Sequence, residues 1–235
     1  MIERTTILYG DDSCSMLPEA VVVVCGVGAV GGFAVEALAR LGVENFYLYD
    51  FDSFEESNIN RQLCALNSTV GKIKVDVQKE RILDINPKAK VEANNVFIDE
   101  GVAVEIASAR PTVIIDAIDT IASKVLLAKY AIENNVPIVS SMGAARRRDP
   151  LKVAVADIFK TNGCPLASRI RKELRKAGVE KGFKCVYSTE ITESSTHIQD
   201  AQDNKKIIGS SVVVTGVFGL NLANLALEEI FKIGK

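Results

Sequence analysis

Residues 21–50 read VVVVCGVGAVGGFAVEALARLGVENFYLYD: an apolar run, a glycine-rich turn, a helical pattern and a second apolar run ending in a carboxylate. Gly26, Gly28 and Gly31 have the G-x-G-x-x-G spacing, and Asp50 stands 19 residues after Gly31, where an acid reaches a ribose hydroxyl. A turn that bends this tightly and brings the backbone against a phosphate leaves no room for a Cβ, so glycine is required. The helix starting near Val30 then turns its free N–H groups and positive dipole end toward that phosphate. The stretch predicts a strand–turn–helix–strand unit that binds a nucleotide, and on its own it favours a dinucleotide.

The pattern continues outward from this unit. Residues 1–19 are a short amphipathic lead-in. Residues 51–64 are polar and too irregular for a strand. Helical spacing of Ile73, Val77, Ile82 and Ile85 predicts a helix that Pro87 closes, and residues 90–96 alternate as a strand. Helices are expected over 99–109 and 120–134, with strands over 112–117 and 136–141. Strands alternating with helices in this way predict an α/β fold with a Rossmann-like, doubly wound, mostly parallel sheet.

We read the chain as a single domain, with residues 1–145 as its nucleotide-binding core. Residues 146–235 read as an antiparallel C-terminal extension that faces the substrate. It holds an alternating strand over 151–159, a basic helix over 165–177, a short strand over 184–188, a polar loop over 191–206 and a terminal apolar helix over 210–232.

Composition narrows the class. Of 235 residues, 48% are hydrophobic and 25% charged, as in an ordinary globular protein. The net charge of −2 supplies no global field toward nucleic acid, so any such affinity must be local. The five cysteines, Cys14, Cys25, Cys64, Cys164 and Cys185, form no C-x-x-C pair, which argues against a zinc knuckle. An odd, scattered set without a secretory signal implies reduced thiols and a cytoplasmic protein. The most apolar stretch, residues 20–35, is broken by glycines and followed by Glu36, so it reads as strand–turn–helix and not as a membrane span.

The residues after the glycine turn change the choice of nucleotide. Asp50-Phe51-Asp52, then Ser57-Asn58-Ile59-Asn60-Arg61-Gln62, then Lys74, then Asp116-Ala117-Ile118-Asp119 stand in order over about 100 residues. This series resembles the ThiF/ubiquitin-activating-enzyme-like adenylyltransferase family, with its D-x-D, S-N-x-x-R-Q, lysine and D-x-x-D elements. The turn departs slightly from that pattern, since Ala29 and Gly32 stand where the family usually has glycine and serine. Both are small enough to let a phosphate approach.

The resemblance implies ATP with Mg²⁺, bound through Gly26, Gly28, Gly31, Asp50, Asp52, Asn58, Arg61 and Lys74. It makes Arg61, Lys74 and Asp119 catalytic and links Asp119 to the metal. The chemistry suits these residue types. Attack on the α-phosphate drives off pyrophosphate, Arg61 offers a planar fork for two phosphate oxygens, and Lys74 offers a point charge. Asp50 could alternatively only cap its turn. Lys124, one turn beyond Asp119, reads either as a further phosphate contact or as a solvated charge. Arg4, in a lead-in resembling the family's R-x-x-x-L-x-G, implies an arginine that reaches the ATP of a partner subunit, and hence a homodimer.

Zinc pairs, common among members that activate ubiquitin-like carriers, are missing from the sequence. Residues 36–42, 60–63, 84–87, 114–119, 148–153 and 185–190 instead resemble the branch that acts on a modified tRNA adenosine. In that branch the carboxylate of a threonylcarbamoyl group is adenylated, and the carbamoyl oxygen then closes a five-membered ring as AMP leaves. No protein nucleophile is needed, which suits a chain whose one histidine, His197, lies in a polar stretch.

A tRNA partner needs a basic patch, and Arg146, Arg147, Arg148, Arg171, Lys172 and Arg175 are its candidate contacts; the alternative is a solvated helix face. Cys185 is the best-placed functional thiol, although a structural role is favoured. Adenylation of a ubiquitin-like carrier, with a sulfur-carrier or cysteine-desulfurase-linked partner, is the alternative function. A non-catalytic NAD-binding module is the third reading, and a monovalent cation beside the site is left open.

Overall fold

Two short helices, α1 (Glu3–Tyr9) and α2 (Asp11–Ser15), precede β1 (Val21–Cys25), where four β-branched valines favour the extended chain. The glycine turn leads to α3 (Gly31–Leu41), which Gly42 ends at φ +104°, and to β2 (Asn45–Tyr49). A polar connection with one 3-10 turn at Glu56–Asn58 precedes α4 (Lys74–Ile85), β3 (Lys90–Asn94), α5 (Glu100–Ser108) and β4 (Val113–Asp116). Asp99 caps α5 by accepting the Val102 N–H at 3.0 Å. Next come α6 (Ile121–Glu133), β5 (Ile138–Ser141), β6 (Val153–Asp157), α7 (Pro165–Lys176) and β7 (Lys184–Ser188). The chain closes with β8 (His197–Gln199), β9 (Lys206–Ile208) and α8 (Val212–Ile230). This computed structural model describes residues 2–191, 197–199 and 206–232.

Seven strands form one sheet in the order β3-β2-β1-β4-β5-β7-β6, parallel throughout except for the antiparallel pair β6–β7. The strands after residue 145 thus extend the same sheet. Burial alternates with the strand period. Val22 and Val24 enter one core with Val35, Leu38, Phe218 and Leu222, whereas Val23 and Cys25 enter the other with Ile106, Leu127 and Ile170. α3, α4 and α8 therefore cover one face, and α5, α6 and α7 the other. The order reverses between β1 and β4, which opens a crevice at the carboxyl ends of those strands.

Two regions differ from the sequence expectation. The lead-in is helical, with Cys14 and Leu17 buried under the sheet edge. The stretch read as a polar loop contains β8, which pairs antiparallel with β9 and sets Ile198 opposite Ile207. Ile198 stands alone among polar neighbours, too short an alternation to signal a hairpin. The remainder of that stretch, 192–196 and 200–205, lies outside the described residues. The terminal helix is present; its apolarity reflects burial of 61% of its most apolar window against α3 and the sheet.

Candidate active site

The crevice holds a cavity of about 1030 Å³ whose floor is the glycine turn. Gly26 has φ +87°, and a Cβ on it would lie 2.8 Å from the Ala117 carbonyl oxygen. A Cβ on Gly31 would lie only 1.8 Å from the Gly26 oxygen. The turn is therefore closed on itself and against β4. Gly28 differs: a Cβ there would clash with nothing and would only touch the Gln62 amide, in ordinary van der Waals contact at 3.7 Å, and Gly28 lines the cavity. Gly28 thus leaves room for a ligand while Gly26 and Gly31 shape the turn.

Asp50 lies at the end of β2, where one carboxylate oxygen accepts the Val27 N–H at 2.9 Å and the other the Asp52 N–H at 3.0 Å. Asp50 therefore braces the turn and also lines the cavity. Burial pushes its carboxyl up from the usual range, and Lys74 and the two N–H donors oppose that shift.

The polar segment after Asp52 folds over the cavity. Asn58 is buried and fixes the segment by accepting the Glu55 N–H at 3.3 Å. Arg61 is held by a single nitrogen: Nη1 donates to the Ser57 carbonyl at 2.7 Å and to Asn60 Oδ1 at 2.9 Å. Nε and Nη2 make no hydrogen bond among the described residues, so that edge of the fork is available to a phosphate. Lys74 opens α4 and is itself buried, with its ammonium 2.7 Å from the half-exposed Asp52 carboxylate. Asp119 lies across the cavity on the turn after β4, exposed, with Thr120 Oγ1 at 3.4 Å. The structure thus gathers Gly26, Gly28, Asp50, Asp52, Asn58, Arg61, Lys74 and Asp119 around one cavity, with Gly31 packed beneath.

Lys124 is placed differently from either sequence reading. It is neither solvated nor in the cavity wall, but 1% exposed beneath it, with Nζ 2.8 Å from Asp116, also 1% exposed. Taking each charge out of water costs on the order of several kcal/mol, and the mutual attraction offsets this only in good geometry. Arg4 is exposed on α1 and lies outside the cavity wall.

Sequence reasoning missed the far half of the cavity. Ser141, Met142, Gly143, Ala144 and Ala145, the loop after β5, form one wall; Leu166 on α7, Ile208 to Ser210 and Thr215 complete it. The loop's small side chains leave that side of the cavity open. Near the opposite end, exposed Phe51 and Phe97 meet edge to face with ring centres 5.2 Å apart. Gln62, the neighbour of Arg61, was the one signal at hand, and it also lines the cavity.

The basic candidates separate by burial. α7 buries Ala167, Ile170 and Leu174 and exposes Arg169, Lys172, Arg175 and Lys176, with the Arg175 guanidinium over the Phe159 ring at 5.3 Å. Arg171 is half-buried and donates to Thr161. Arg148 is exposed, and its N–H is held by Glu190 at 3.0 Å. Arg146 is half-buried at φ +64°, bonded through its N–H to the Gly209 carbonyl at 2.9 Å. Arg147 turns inward: it is 3% exposed and reaches the Gly163 carbonyl at 3.4 Å. Its reading as a surface phosphate contact is corrected, because the side chain is buried against the loop before α7.

Cys185 is fully buried, and burial pushes its thiol up to about 12, so it stays protonated and lacks thiolate reactivity. All five thiols are free and buried. His197 is described through its backbone alone, in β8. Among the described residues no group of three or more His, Cys, Asp or Glu side chains could hold a metal ion.

A family model described as the ThiF family matches residues 2–234. The tRNA threonylcarbamoyladenosine dehydratase of Bacillus subtilis is 38% identical over 97% of this chain and 94% of its own length. The crystal structure of the Escherichia coli tRNA N6-threonylcarbamoyladenosine dehydratase in complex with ATP superposes with a TM-score of 0.91 at 33% identity, covering 99% of this chain and 94% of that one. The Escherichia coli molybdopterin-synthase adenylyltransferase, 33% identical, matches 62% of this chain.

Proposed function

This chain belongs to the ThiF family, and on that premise we propose that it is an ATP-dependent tRNA-modifying enzyme that adenylates and then cyclises threonylcarbamoyladenosine. The observation that carries the reading is the convergence of Arg61, Lys74 and Asp119 on a glycine turn, in one cavity whose far wall is made of small residues. The substrate carboxylate attacks the α-phosphorus of ATP; a P–O bond forms, and the bond to pyrophosphate breaks. The neighbouring carbamoyl group then attacks the acyl carbon, the five-membered ring closes, a proton is lost and AMP departs with the carboxylate oxygen.

Arg61 and Lys74 neutralise the phosphates as charge spreads in the transition state. The cavity holds the two reacting groups of one nucleoside together, so proximity replaces a protein nucleophile. Asp119, an exposed carboxylate on the cavity wall, would hold Mg²⁺, which would supply charge neutralisation for the leaving pyrophosphate. Asp50 reaches the ribose.

Purified protein, ATP–Mg²⁺ and tRNA bearing threonylcarbamoyladenosine should yield a nucleoside lighter by one water, together with AMP and pyrophosphate. Unchanged nucleoside by mass spectrometry would sink the reading. Pyrophosphate exchange that instead requires a carrier protein with a Gly-Gly terminus would transfer it to the sulfur-carrier branch.

Three further features belong to this reading. The exposed face of α7 takes the tRNA backbone, since Lys172 and Arg175 follow Leu166 at the cavity wall by one to three helical turns. Reversing both charges to Glu should weaken tRNA binding about 10- to 100-fold and lower the salt slope by about 2, with ATP affinity unchanged. An equal salt slope, measured by filter binding, would count against that face.

Arg4 serves a partner subunit's site, beside Ile7 and Leu8, which are 79% and 74% exposed and suit burial against a second copy. Mixing Arg4→Ala with Arg61→Ala protein should restore about a quarter of the activity in a random dimer, the fraction of sites that inherit neither change. A mixture no more active than its parts would refute a shared site. Five reduced thiols support a cytoplasmic protein.

A further inference from the structure

We propose that Lys124 is a positioning residue: it clasps the first turn of α6 to the end of β4 and so fixes the turn that presents Asp119 to the ATP site. The inference rests on the adenylation reading for what Asp119 does, but not for how Asp119 is held.

Strand register sets Cys25, Asp116, Ser140 and Cys185 side by side across β1, β4, β5 and β7. Asp116 is the only charge in that row, and it is tied three ways. Its Oδ1 accepts the Ile118 N–H at 3.2 Å. Its Oδ2 accepts the Ser140 hydroxyl at 2.6 Å and meets the Lys124 ammonium at 2.8 Å. The carboxylate therefore joins strand, turn and helix, and the whole segment from 117 to 123 is enclosed between the two ends of one ion pair.

The other side of the turn is pinned as well. The Ala117 N–H donates to the Cys25 carbonyl at 2.8 Å, and the Ala117 carbonyl leaves no room for a Cβ on Gly26. Asp119 itself is exposed, and among the described residues its one side-chain hydrogen bond is from Thr120 Oγ1 at 3.4 Å. With so little holding the side chain, its placement depends on the backbone, and the backbone depends on the clasp.

Charge also distinguishes this role from simple core filling. An apolar pair of similar volume would pack there without desolvation, and buried ion pairs are weak sources of stability. What the pair supplies is direction, because a carboxylate held by two hydrogen-bond donors and one adjacent ammonium has one orientation. The thiols beside it stay protonated, since burial and the Asp116 carboxylate hold the Cys25 thiol well above its ordinary range. Lys124 and Asp116 thus balance each other.

The test uses Lys124→Met and the double variant Lys124→Met/Asp116→Asn. The single variant strands a buried carboxylate and is expected to lose stability; the double variant removes both charges and is expected to fold. In the double variant, deuterium uptake at the Ala117–Thr120 amides should rise about tenfold or more, with peptides from β1 and α3 unchanged. The kcat of ATP–pyrophosphate exchange on modified tRNA should fall about 10- to 100-fold while KM for ATP stays within about threefold, the signature of a misplaced group and not of lost binding.

Unchanged uptake at 117–120, or a kcat within about twofold of the parent, would overturn the proposal. A parallel rise in KM would overturn it too, because the whole floor would then have moved. A parent protein without any pyrophosphate exchange would refute the adenylation reading instead, and the amide uptake would still decide the clasp.

Discussion

Arg61→Ala is expected to lower the rate of ATP–pyrophosphate exchange by about 10²–10³-fold, the usual cost of removing one preorganised donor from a charge-developing transition state. The guanidinium is anchored by Nη1 alone to the Ser57 carbonyl and Asn60 Oδ1, so its remaining edge is oriented before ATP arrives. Loss of that edge removes two hydrogen bonds with fixed geometry. Arg61→Lys should recover little, since an ammonium cannot span two oxygens and cannot keep both anchors. Because Arg61 acts mainly as pyrophosphate departs, equilibrium binding of AMP should change far less than kcat. Calorimetry with AMP beside the exchange assay checks this; equal losses in both would assign Arg61 to ground-state binding.

Gly31→Ala should abolish ATP binding and lower stability by about 1–3 kcal/mol, the range for forcing an extra methyl into a closed space. The new Cβ would stand 1.8 Å from the Gly26 oxygen, which is main chain and cannot rotate away. Gly28→Ala is the informative contrast. Its Cβ would meet only the Gln62 amide at 3.7 Å, so the melting temperature should hold while ATP affinity falls. Should both variants melt alike, the division between a glycine that shapes the turn and one that admits the ligand is wrong.

Local features were legible in the sequence. The glycine turn, Asp50, Arg61, Lys74 and Asp119 lie within short motifs, and each stands at the cavity because a motif specifies its own backbone. Lys124 and Arg147 were not legible, for one physical reason. In α6 the sequence IASKVLLAKYAIE is apolar on several faces, so spacing alone does not reveal that the helix turns its lysine toward the sheet. Arg147 is buried against the Gly163 loop, 16 residues on, and nothing in its own basic run signals that contact. The far wall of the cavity was hidden likewise, since residues 208–215 reach it only after the chain has crossed the whole sheet.

That late closure has a consequence for synthesis. The glycine turn is made early, yet the hydroxyl of Thr215 contacts the Arg61 carbonyl and Ser210 receives the Asn60 amide, so the site is sealed from the far end of the chain. α8 also lies across α3, the helix that aims at the phosphate. A nascent chain on the ribosome therefore carries the nucleotide fingerprint long before it carries a nucleotide site. A product truncated ahead of α8 is expected to bind ATP poorly, because it lacks the Thr215 contact to Arg61 and the helix that packs on α3.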